Sequence, residues 1–360
     1  MKVLTIVGAR PQFIKEAIAG ESIRNAGITE VLVNTGQHYD ANMSEVFFDG
    51  LSIKAPDYNL SIGSGTHAVQ TGAAMIRLEE VLLKEKPNLV LVYGDTNATL
   101  AGALVAAKLK IPVAHVEAGL RQHPKDMPEE INRVVTDHLS SLLFCPTEKA
   151  VKNLASEGIS KGVHFVGDVM YDLFLKMKAQ LDVPSSLDQF GLLEKEYILA
   201  TVHRDFNTDN TDRLEAILSA LDEIAQKIPV ILPLHPRTRK TVSEMRLEGL
   251  IQRLQVVEPL SYQDMMALLI GSKKVITDSG GLQKEAYFAG VQALVMMRDT
   301  AWIELVEAGW NVLVDADRKK IVMAANGVKK AQRAPLEEIY GDGQAGEKIA
   351  GILWDFLPRL

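Results

Sequence analysis

Acidic side chains stand directly after two apolar runs in the first half of the chain. Asp95 follows Leu89–Tyr93 and one glycine, and Glu117 follows Val113–Val116. If those runs are parallel strands, both carboxylates lie at the carboxyl edge of the sheet, where α/β proteins bind ligands. Carboxylates there serve as general acids or bases, or stabilise developing positive charge. Glu129, in a third acidic segment, is a further candidate for this chemistry.

A carboxylate in a buried setting needs a partner or a task, because leaving it unpaired is costly. Arg121 and Arg133 lie close to the acidic segments in the sequence. An alternative interpretation is therefore that these arginines only form structural ion pairs with Asp95 and Glu117.

Two glycine-containing turns favour anion binding. The segment Gly8–Lys15 (GARPQFIK) follows the first apolar run and leads into a helix, so Arg10 and Lys15 could reach an anion at the helix N-terminus. The segment Thr277–Glu285 (TDSGGLQKE) has two glycines and a serine at a second strand-to-helix junction. Paired glycines let the backbone approach a phosphate closely. The alternatives are a solvated Arg and Lys in the first segment, and a capped glycine-rich turn in the second.

Three histidines, His38, His203 and His235, also follow the ends of apolar runs. Two of them have an arginine next to them or two residues later, in His203-Arg204 and His235-Pro-Arg237. A lone histidine is more often structural, but two such pairs favour anion binding. The sequence has no Cys or His set at metal-ligand spacing, and Gly8 does not begin the glycine pattern of nicotinamide sites. We therefore expect no metal and no cofactor.

These residues need strands that end at a common edge, and the sequence supplies them in two sets. Apolar runs without polar alternation, separated by amphipathic stretches, indicate parallel sheets covered on both faces. The expected helices include Ala68–Lys86, Asp209–Lys227 and a closing helix at Gly346–Leu357, while Val183–Leu187 is expected to be loop near the domain junction. The candidate strands are Val3–Val7, Glu30–Asn34, Leu89–Tyr93, Val113–Val116, Leu142–Cys145, His164–Val166, Tyr197–Val202, Val230–Leu234, Leu254–Val257, Lys274–Thr277, Ala293–Met296 and Val312–Val314.

Length and charge narrow the class of protein. The 360 residues suffice for two domains, and the net charge of −7 argues against nucleic acid as a partner. The single Cys145 excludes an intramolecular disulfide and favours a reducing compartment. The apolar run before Gly8 is too short for a signal-peptide core, and no run approaches the roughly 20 residues of a membrane helix. We expect a cytoplasmic protein with no membrane partner.

The motifs, taken in order over nearly the whole chain, resemble the non-hydrolysing UDP-N-acetylglucosamine 2-epimerases. They are GARP at Gly8 with Lys15, TGQH at Thr35–His38, GDT at Gly94–Thr96, HVEAGLR at His115–Arg121, PEE at Pro128–Glu130 with Asn132 and Arg133, His203-Arg204, DSGG at Asp278–Gly281 with Gln283 and Glu285, RDT at Arg298–Thr300 and YGDGQA at Tyr340–Ala345.

The resemblance implies the glycosyltransferase-B architecture, in which two Rossmann-like doubly wound domains hold a nucleotide sugar in the cleft between them. We place the domains at residues 1–170, with a C-terminal helix at 346–360 packing back on them, and at residues 171–345. The resemblance also implies a homodimer, with a UDP-sugar as substrate.

The family expels UDP from C1 of the sugar while C2 is deprotonated, and then adds UDP back with the proton on the opposite face. By resemblance, carboxylates move the protons and stabilise charge at C1, and His203 assists them; the proton-transfer roles are not divided among the carboxylates. The resemblance also implies that Glu285 holds the ribose and that the Tyr262 segment contacts uracil. In the family, the loop around His38 takes part in activation by a second UDP-sugar, but Tyr39–Ser44 replaces the family's usual segment there, so this activation is not carried over to the chain. The implied catalytic residues are Asp95, Glu117, Glu129 and His203, and the implied substrate-binding residues are Arg10, Lys15, His38, Arg133, His235, Tyr262, Ser279, Gly280, Gly281 and Glu285.

Several positions depart from the commonest family pattern and bear on the substrate. Gln12 and Phe13 replace Glu and Ala, and His235–Arg239 carries two arginines in place of a His-x-Asn-Pro run. Most departures resemble the branch that acts on UDP-2,3-diacetamido-2,3-dideoxy-glucuronic acid. Arg237 and Arg239 would also suit a sugar carboxylate. Ala301 departs from both patterns. UDP-N-acetylglucosamine is the first expected substrate, and the diacetamido-glucuronate is the alternative.

Three other functions remain open at this point. A hydrolysing relative would release free UDP, and a glycosyltransferase on the same fold would need an acceptor. A sensor would bind the nucleotide sugar without turnover, which leaves the three acidic segments unexplained.

Overall fold

A computed structural model describes residues 1–36, 54–122, 126–327 and 339–359, without the side chains of Arg10 and Arg359. His38 lies outside the described residues. The chain divides into two compact units, Met1–Lys176 with Pro335–Leu360, and Met177–Ala334. None of the helices in the described ranges is both long and apolar enough to cross a membrane.

The first unit is built on a seven-stranded parallel sheet in the order β3-β2-β1-β4-β5-β6-β7. Its inner strands are buried on both faces, as the unbroken apolar runs indicate; Leu89–Tyr93 has every residue buried. The order reverses between β1 and β4, which makes their carboxyl ends the switch point where such sheets bind ligands. The strands are β1 Lys2–Val7, β2 Thr29–Asn34, β3 Tyr58–Asn59, β4 Leu89–Tyr93, β5 Val113–Val116, β6 Leu142–Cys145 and β7 Val163–Phe165.

Some helices of the first unit begin at threonine caps that the sequence supplies. The hydroxyl of Thr66 caps the longest one by accepting from Val69 N, and Thr96 does the same for the helix after β4. These helices are α1 Arg10–Asn25, α2 His67–Glu85, α3 Asn97–Lys108, α4 Pro128–Leu139, α5 Glu148–Ser156 and α6 Val169–Lys178, the last of which extends two residues past the unit's boundary.

The C-terminal helix, α15 (Ala345–Phe356), belongs to the first unit and lies against α1. Gly346 permits the approach, because a Cβ there would lie 2.7 Å from Ser22 Oγ and 2.9 Å from Ile18 Cγ2. The carboxylate of Asp172 accepts a hydrogen bond of 2.9 Å from Gly346 N, at the positive end of the helix. Burial nevertheless raises the pKa of Asp172 to about 6.

The second unit has a six-stranded parallel sheet in the order β10-β9-β8-β11-β12-β13, with its switch point between β8 and β11. The prediction of two doubly wound parallel sheets is therefore confirmed. The strands are β8 Ile198–Thr201, β9 Val230–Pro233, β10 Gln255–Val257, β11 Lys274–Thr277, β12 Gln292–Val295 and β13 Asn311–Leu313. The helices are α7 Val183–Asp188, α8 Asp205–Thr208, α9 Thr211–Ala225, α10 Pro236–Glu244, α11 Tyr262–Gly271, α12 Gly280–Phe288, α13 Ile303–Glu307 and α14 Arg318–Asn326; 3₁₀ turns occupy Glu248–Ile251 and, in the first unit, Leu357–Arg359.

The prediction of a loop at Val183–Leu187 is wrong. This segment forms α7, whose N-terminus is capped by Asp182 through a 3.3 Å bond from Ser185 N. Pro184 stands in the first turn, where a proline loses no helical hydrogen bond. A proline followed by two serines thus begins a helix here.

Candidate active site

Gln12 joins the two loops at the switch point of the first sheet. Its Oε1 accepts from Gly8 N at 2.7 Å and Ala9 N at 3.0 Å, while its Nε2 donates to Tyr93 O at 2.8 Å. The loop after β1 and the end of β4 are therefore held together by one buried amide. The sequence marked Gln12 only as a departure from a family pattern, so this connecting role was missed.

Asp95 lies just beyond β4 and pairs with Arg133 of α4. Arg133 also binds Glu130 at 3.0 Å, and the Asp95 side chain keeps 30% exposure while that of Arg133 has only 9%. Burial lowers the pKa of Arg133, but the negative charges of Asp95 and Glu130 outweigh this and raise it. Asn132 Nδ2 donates to Asp95 O at 2.9 Å. Asp95 is thus held by Arg133 and Asn132, while part of its carboxylate remains exposed.

Glu117, at the end of β5, pairs with Lys15 of α1. Its backbone has φ +74°, in the left-handed region that a residue with a side chain seldom adopts. Gly94 lies beside the pair, because a Cβ there would be 3.2 Å from both Glu117 Oε2 and Lys15 Nζ. Strained backbone at an ionised side chain is common at functional sites. Lys15, expected to reach an anion, instead has a carboxylate partner in this structure.

Of the two arginines that could pair with Asp95 or Glu117, one does so and the other has different partners. Arg133 does pair with Asp95, but Arg121 binds Asp137 at 2.8 Å and Glu157 at 2.6 Å. Glu129 is half-buried in the first turn of α4.

In the second unit, His203 and Asp278 meet across the switch point between β8 and β11. His203 Nδ1 lies 3.0 Å from Asp278 Oδ1, and the buried Asp278 carboxylate also accepts from the backbone N–H of His203 and of Arg204, both at 3.1 Å. Burial raises the pKa of Asp278, but the hydrogen bonds and charge of His203, with a bond from Asn207, outweigh it and lower the pKa. The His203 side chain is 42% exposed. Asp278 therefore orients the imidazole, a role visible in the sequence only as an acid after a buried strand.

The glycine-rich turn forms the N-terminus of α12. Ser279 is the N-cap, and its hydroxyl accepts from Leu282 N at 3.4 Å. A Cβ on Gly281 would meet no atom within 4 Å, and one on Gly280 would meet its nearest at 3.8 Å. Trp302 Nε1 donates to Gly280 O at 2.9 Å and steadies the turn. Open space, backbone N–H groups and the positive helix end together suit an anion.

Two further candidates of this unit have protein partners. Tyr262, at the start of α11, donates its hydroxyl to Glu285 Oε1 at 2.9 Å, and both residues are buried. His235 caps α10, since its Nδ1 accepts from Arg237 N at 3.2 Å.

The two arginines expected near a sugar carboxylate have exposed side chains paired with acids. Arg237 binds Asp209 and Arg239 binds Glu258, each at 2.7 Å. Exposed pairs of this kind are weak and exchange readily with other anions.

Within the described ranges, no group of three or more His, Cys, Asp or Glu side chains is arranged to hold a metal ion.

Comparison with known proteins identifies the family. A family model described as UDP-N-acetylglucosamine 2-epimerase matches residues 21–354. The chain belongs to the UDP-N-acetylglucosamine 2-epimerase family. It is 49% identical to a UDP-N-acetylglucosamine 2-epimerase homolog of Methanococcus maripaludis, over 98% of this chain and 99% of that one. It is 48% identical, with the same coverage, to the UDP-2,3-diacetamido-2,3-dideoxy-D-glucuronate 2-epimerase of Pseudomonas aeruginosa.

A solved epimerase structure has the same fold. The Methanocaldococcus jannaschii UDP-GlcNAc 2-epimerase, in complex with UDP-GlcNAc and UDP, matches with a TM-score of 0.89 and 41% identity, over 99% of this chain and 100% of that one. The resemblance in the motifs is thereby confirmed, and the protein is a UDP-sugar 2-epimerase, an isomerase, by family.

Proposed function

We propose that this chain interconverts a UDP-2-acetamido sugar and its C2 epimer without net hydrolysis. A base removes the C2 proton as the C1–O bond to UDP breaks, and the electron pair forms a C1=C2 double bond. UDP then adds back at C1, and C2 receives a proton on the opposite face. No oxidant or reductant is needed, because the two steps are an elimination and its reverse.

The observation that carries the proposal is the pair of strand-end carboxylates, each held by its own cation. Asp95 is held by Arg133 and Glu117 by Lys15. A carboxylate at this position can accept a proton or stabilise positive charge at C1. We assign these two roles to Asp95 and Glu117 jointly, with Glu129 as a third participant.

The second unit supplies the features that suit the diphosphate. Ser279, Gly280 and Gly281 offer backbone donors at a helix N-terminus, and the exposed imidazole of His203 is oriented by a carboxylate. We assign these residues to bind the diphosphate both while UDP is bonded to C1 and after the C1–O bond has broken. Arg10 is proposed as a further ligand on the family resemblance, as are His38, His235, Tyr262 and Glu285 for the rest of the substrate.

Two substrates are candidates. UDP-N-acetylglucosamine is favoured by the family model and by the relative solved with it. UDP-2,3-diacetamido-2,3-dideoxy-glucuronate is favoured by the 48% identity to an epimerase that carries this substrate in its name, against 41% to the Methanocaldococcus jannaschii UDP-N-acetylglucosamine 2-epimerase. The 49% identical Methanococcus maripaludis protein is named only as a homolog of the UDP-N-acetylglucosamine enzyme.

Incubation with each UDP-sugar in D₂O tests the reaction and the substrate together. The preferred sugar should gain one deuterium at C2 and reach an equilibrium of two epimers, followed by NMR of the UDP-sugar. Exchange with neither sugar overturns the proposal. Free UDP that accumulates in step with turnover would instead indicate a hydrolysing enzyme.

We also propose that the protein is a cytoplasmic homodimer, as the family resemblance implies. Helix α2 has an apolar stripe of Val69, Ile76 and Leu83, which are 63%, 65% and 57% exposed. Their spacing of seven residues puts them on one side of the helix, and a second copy is the occupant we assign to this stripe. The buried, unpaired Cys145 fits a reducing compartment.

A further inference from the structure

His115 is fully buried in β5, and both of its ring nitrogens face an oxygen. Nε2 lies 2.7 Å from Gly94 O, and Nδ1 lies 2.7 Å from Asp137 Oδ1. A backbone carbonyl can only accept a hydrogen bond, so Nε2 must carry a proton. The state of the ring then depends on which side of the Nδ1 contact holds the second proton.

Asp137 is already supplied with donors. Its Oδ2 accepts from Gly119 N at 3.1 Å and from the Arg121 guanidinium at 2.8 Å. Two donors on one oxygen, one of them a guanidinium cation, favour an ionised Asp137 whatever the state of the ring. An ionised Asp137 can only accept, which assigns the second proton to His115 Nδ1.

We propose that His115 is a buried imidazolium cation that positions the two proposed catalytic carboxylates, an assignment that rests on the proposed function for its catalytic part. Its Nε2–H holds the carbonyl of Gly94, the residue before Asp95. Its Nδ1–H holds Asp137, whose other oxygen holds Gly119 in the turn that contains Glu117. One cation therefore fixes the loop of each acid.

The charges around this ring balance. His115 and Arg121 count as cations, and Asp137 and Glu157 are anions linked to them by bonds of 2.6–2.8 Å. Glu130 lies 4.0 Å from Arg121 but has Arg133 as a nearer partner at 3.0 Å. Cys145, on the neighbouring strand β6, adds no charge because burial raises the pKa of its thiol to about 12. A buried charge is tolerated where it is paired and hydrogen-bonded in this way.

The two turns bonded to this cation have backbone conformations that need stabilising contacts. Gly94 has φ +61°, Glu117 +74° and Gly119 +79°, so both acids stand in or next to left-handed backbone. A charged donor binds a carbonyl more strongly than a neutral one. His115 is thus a positioning residue and does not act on the substrate itself.

Nitrogen-15 NMR of protein with labelled histidine rings tests the protonation state directly in the wild-type enzyme. The chain has eight histidines, and His115→Gln identifies the signals that belong to His115. We expect both ring nitrogens of His115 to carry a proton, because each faces an oxygen that accepts. A spectrum with only one protonated nitrogen overturns the proposal.

The positioning role is tested with Asp137→Asn, which keeps the shape and removes the charge. We expect kcat to fall about 10²-fold, because small displacements of reacting groups have effects of that size, while the Kd for UDP by calorimetry changes less than twofold. The control is His138→Gln on the same helix, since His138 is exposed and its Nδ1 lies 2.8 Å from the carbonyl oxygen of Val134 in that helix. Unchanged kcat in Asp137→Asn overturns the positioning role.

The two proposals fail in different ways. If the wild type epimerises neither sugar, the proposed function fails and the NMR result still decides the state of His115. If Asp137→Asn does not fold, the wild-type spectrum alone decides, and a neutral ring refutes the cation.

Discussion

Glu117 combines a left-handed backbone with an ion pair, and both features come from its neighbours. A residue with a side chain in this conformation is strained by about 1–3 kcal/mol. The strain is offset by the hydrogen bonds of Glu117 N and Ala118 N to Phe144 O, at 3.1 Å, and by the Lys15 contact. A single side chain is thus aimed by a strand end, a neighbouring strand and a helix.

Replacing Glu117 by Gln should lower kcat by about 10²–10⁴-fold, because the amide cannot take up a proton. UDP affinity, measured by calorimetry, should stay within about threefold, since the diphosphate is assigned to other residues. Glu148→Gln, an exposed glutamate of the same unit, is the control. Turnover retained in Glu117→Gln would remove this residue from the mechanism.

Asp278 tests a different part of the site. In Asp278→Asn the carboxylate that orients the His203 imidazole is lost, so UDP should bind about tenfold more weakly, equivalent to about 1.4 kcal/mol. Asp315→Asn is the matched control, because Asp315 in the same unit also has a lowered pKa but pairs with Arg213. Equal UDP affinity in the wild type and Asp278→Asn would contradict the assignment.

At the scale of elements, each sheet is useful because of where its strand order reverses. The loops after β1 and β4 meet through Gln12, and those after β8 and β11 meet through Asp278.

Helix α12 offers a test of the anion site that separates binding from folding. Gly281→Ala adds a methyl group where no atom lies within 4 Å, so the fold should be kept and slightly stabilised, by about 0.5–1 kcal/mol. The same methyl group would stand where we assign the diphosphate, and UDP affinity should fall at least tenfold. Gly351→Ala in α15, also with open space, should change stability alone. Normal UDP binding by Gly281→Ala would show that the turn is not the site.

The sequence predicts a helix or strand well where the pattern of apolar residues fits only one kind of secondary structure. Strands such as Leu89–Tyr93 are apolar throughout because both faces of a parallel sheet are covered, and helices such as α2 lie within one residue of their predicted bounds. It fails for β3, a two-residue edge strand with no apolar run, and for α7, whose proline resembles a loop signal.

The site is predictable in its exposed acids and turns, and less so in their partners. Asp95 and Ser279 stand next to strand ends, where position alone identifies them. Asp137 is buried in the middle of a helix, and only the fold brings it to His115. The sequence predicts that Lys15 on α1 contacts a bound anion, whereas the structure pairs it with the carboxylate of Glu117, just after β5.

At the scale of the whole molecule, stability should depend on pH through Glu16. Burial, and then the charge of Glu30, raise the pKa of Glu16 to about 7 from its ordinary 4.5. The folded protein therefore binds this proton more tightly than the unfolded chain does. The resulting gain in the free energy of unfolding is complete below pH 4.5 and is lost as the pH rises to about 7. Glu16→Gln should gain about 3 kcal/mol over the wild type between pH 5 and pH 8.

Urea unfolding of the two proteins at several pH values measures this difference, followed by a probe in the first unit. Glu79→Gln, an exposed glutamate, is the control and should show no such trend. A constant difference between Glu16→Gln and the wild type across the range would contradict the prediction.

The dimer is the other prediction at this scale. Light scattering should give the mass of two chains for the wild type and of one chain for Ile76→Glu, because a buried unpaired charge in the stripe is costly. Met323→Glu, an exposed apolar residue of the second unit, should remain dimeric. A monomeric wild type refutes the dimer, and a dimeric Ile76→Glu removes α2 from the interface.

The position of α15 has a consequence for synthesis on the ribosome. The second unit is one continuous stretch of chain, so all of it emerges before the C-terminal helix is made. In the first unit, α15 covers α1. Residues 1–176 are therefore made first and keep this side of α1 uncovered until α15 has been made. The N-terminal unit is therefore the last to be completed, which reverses the usual order of folding during translation.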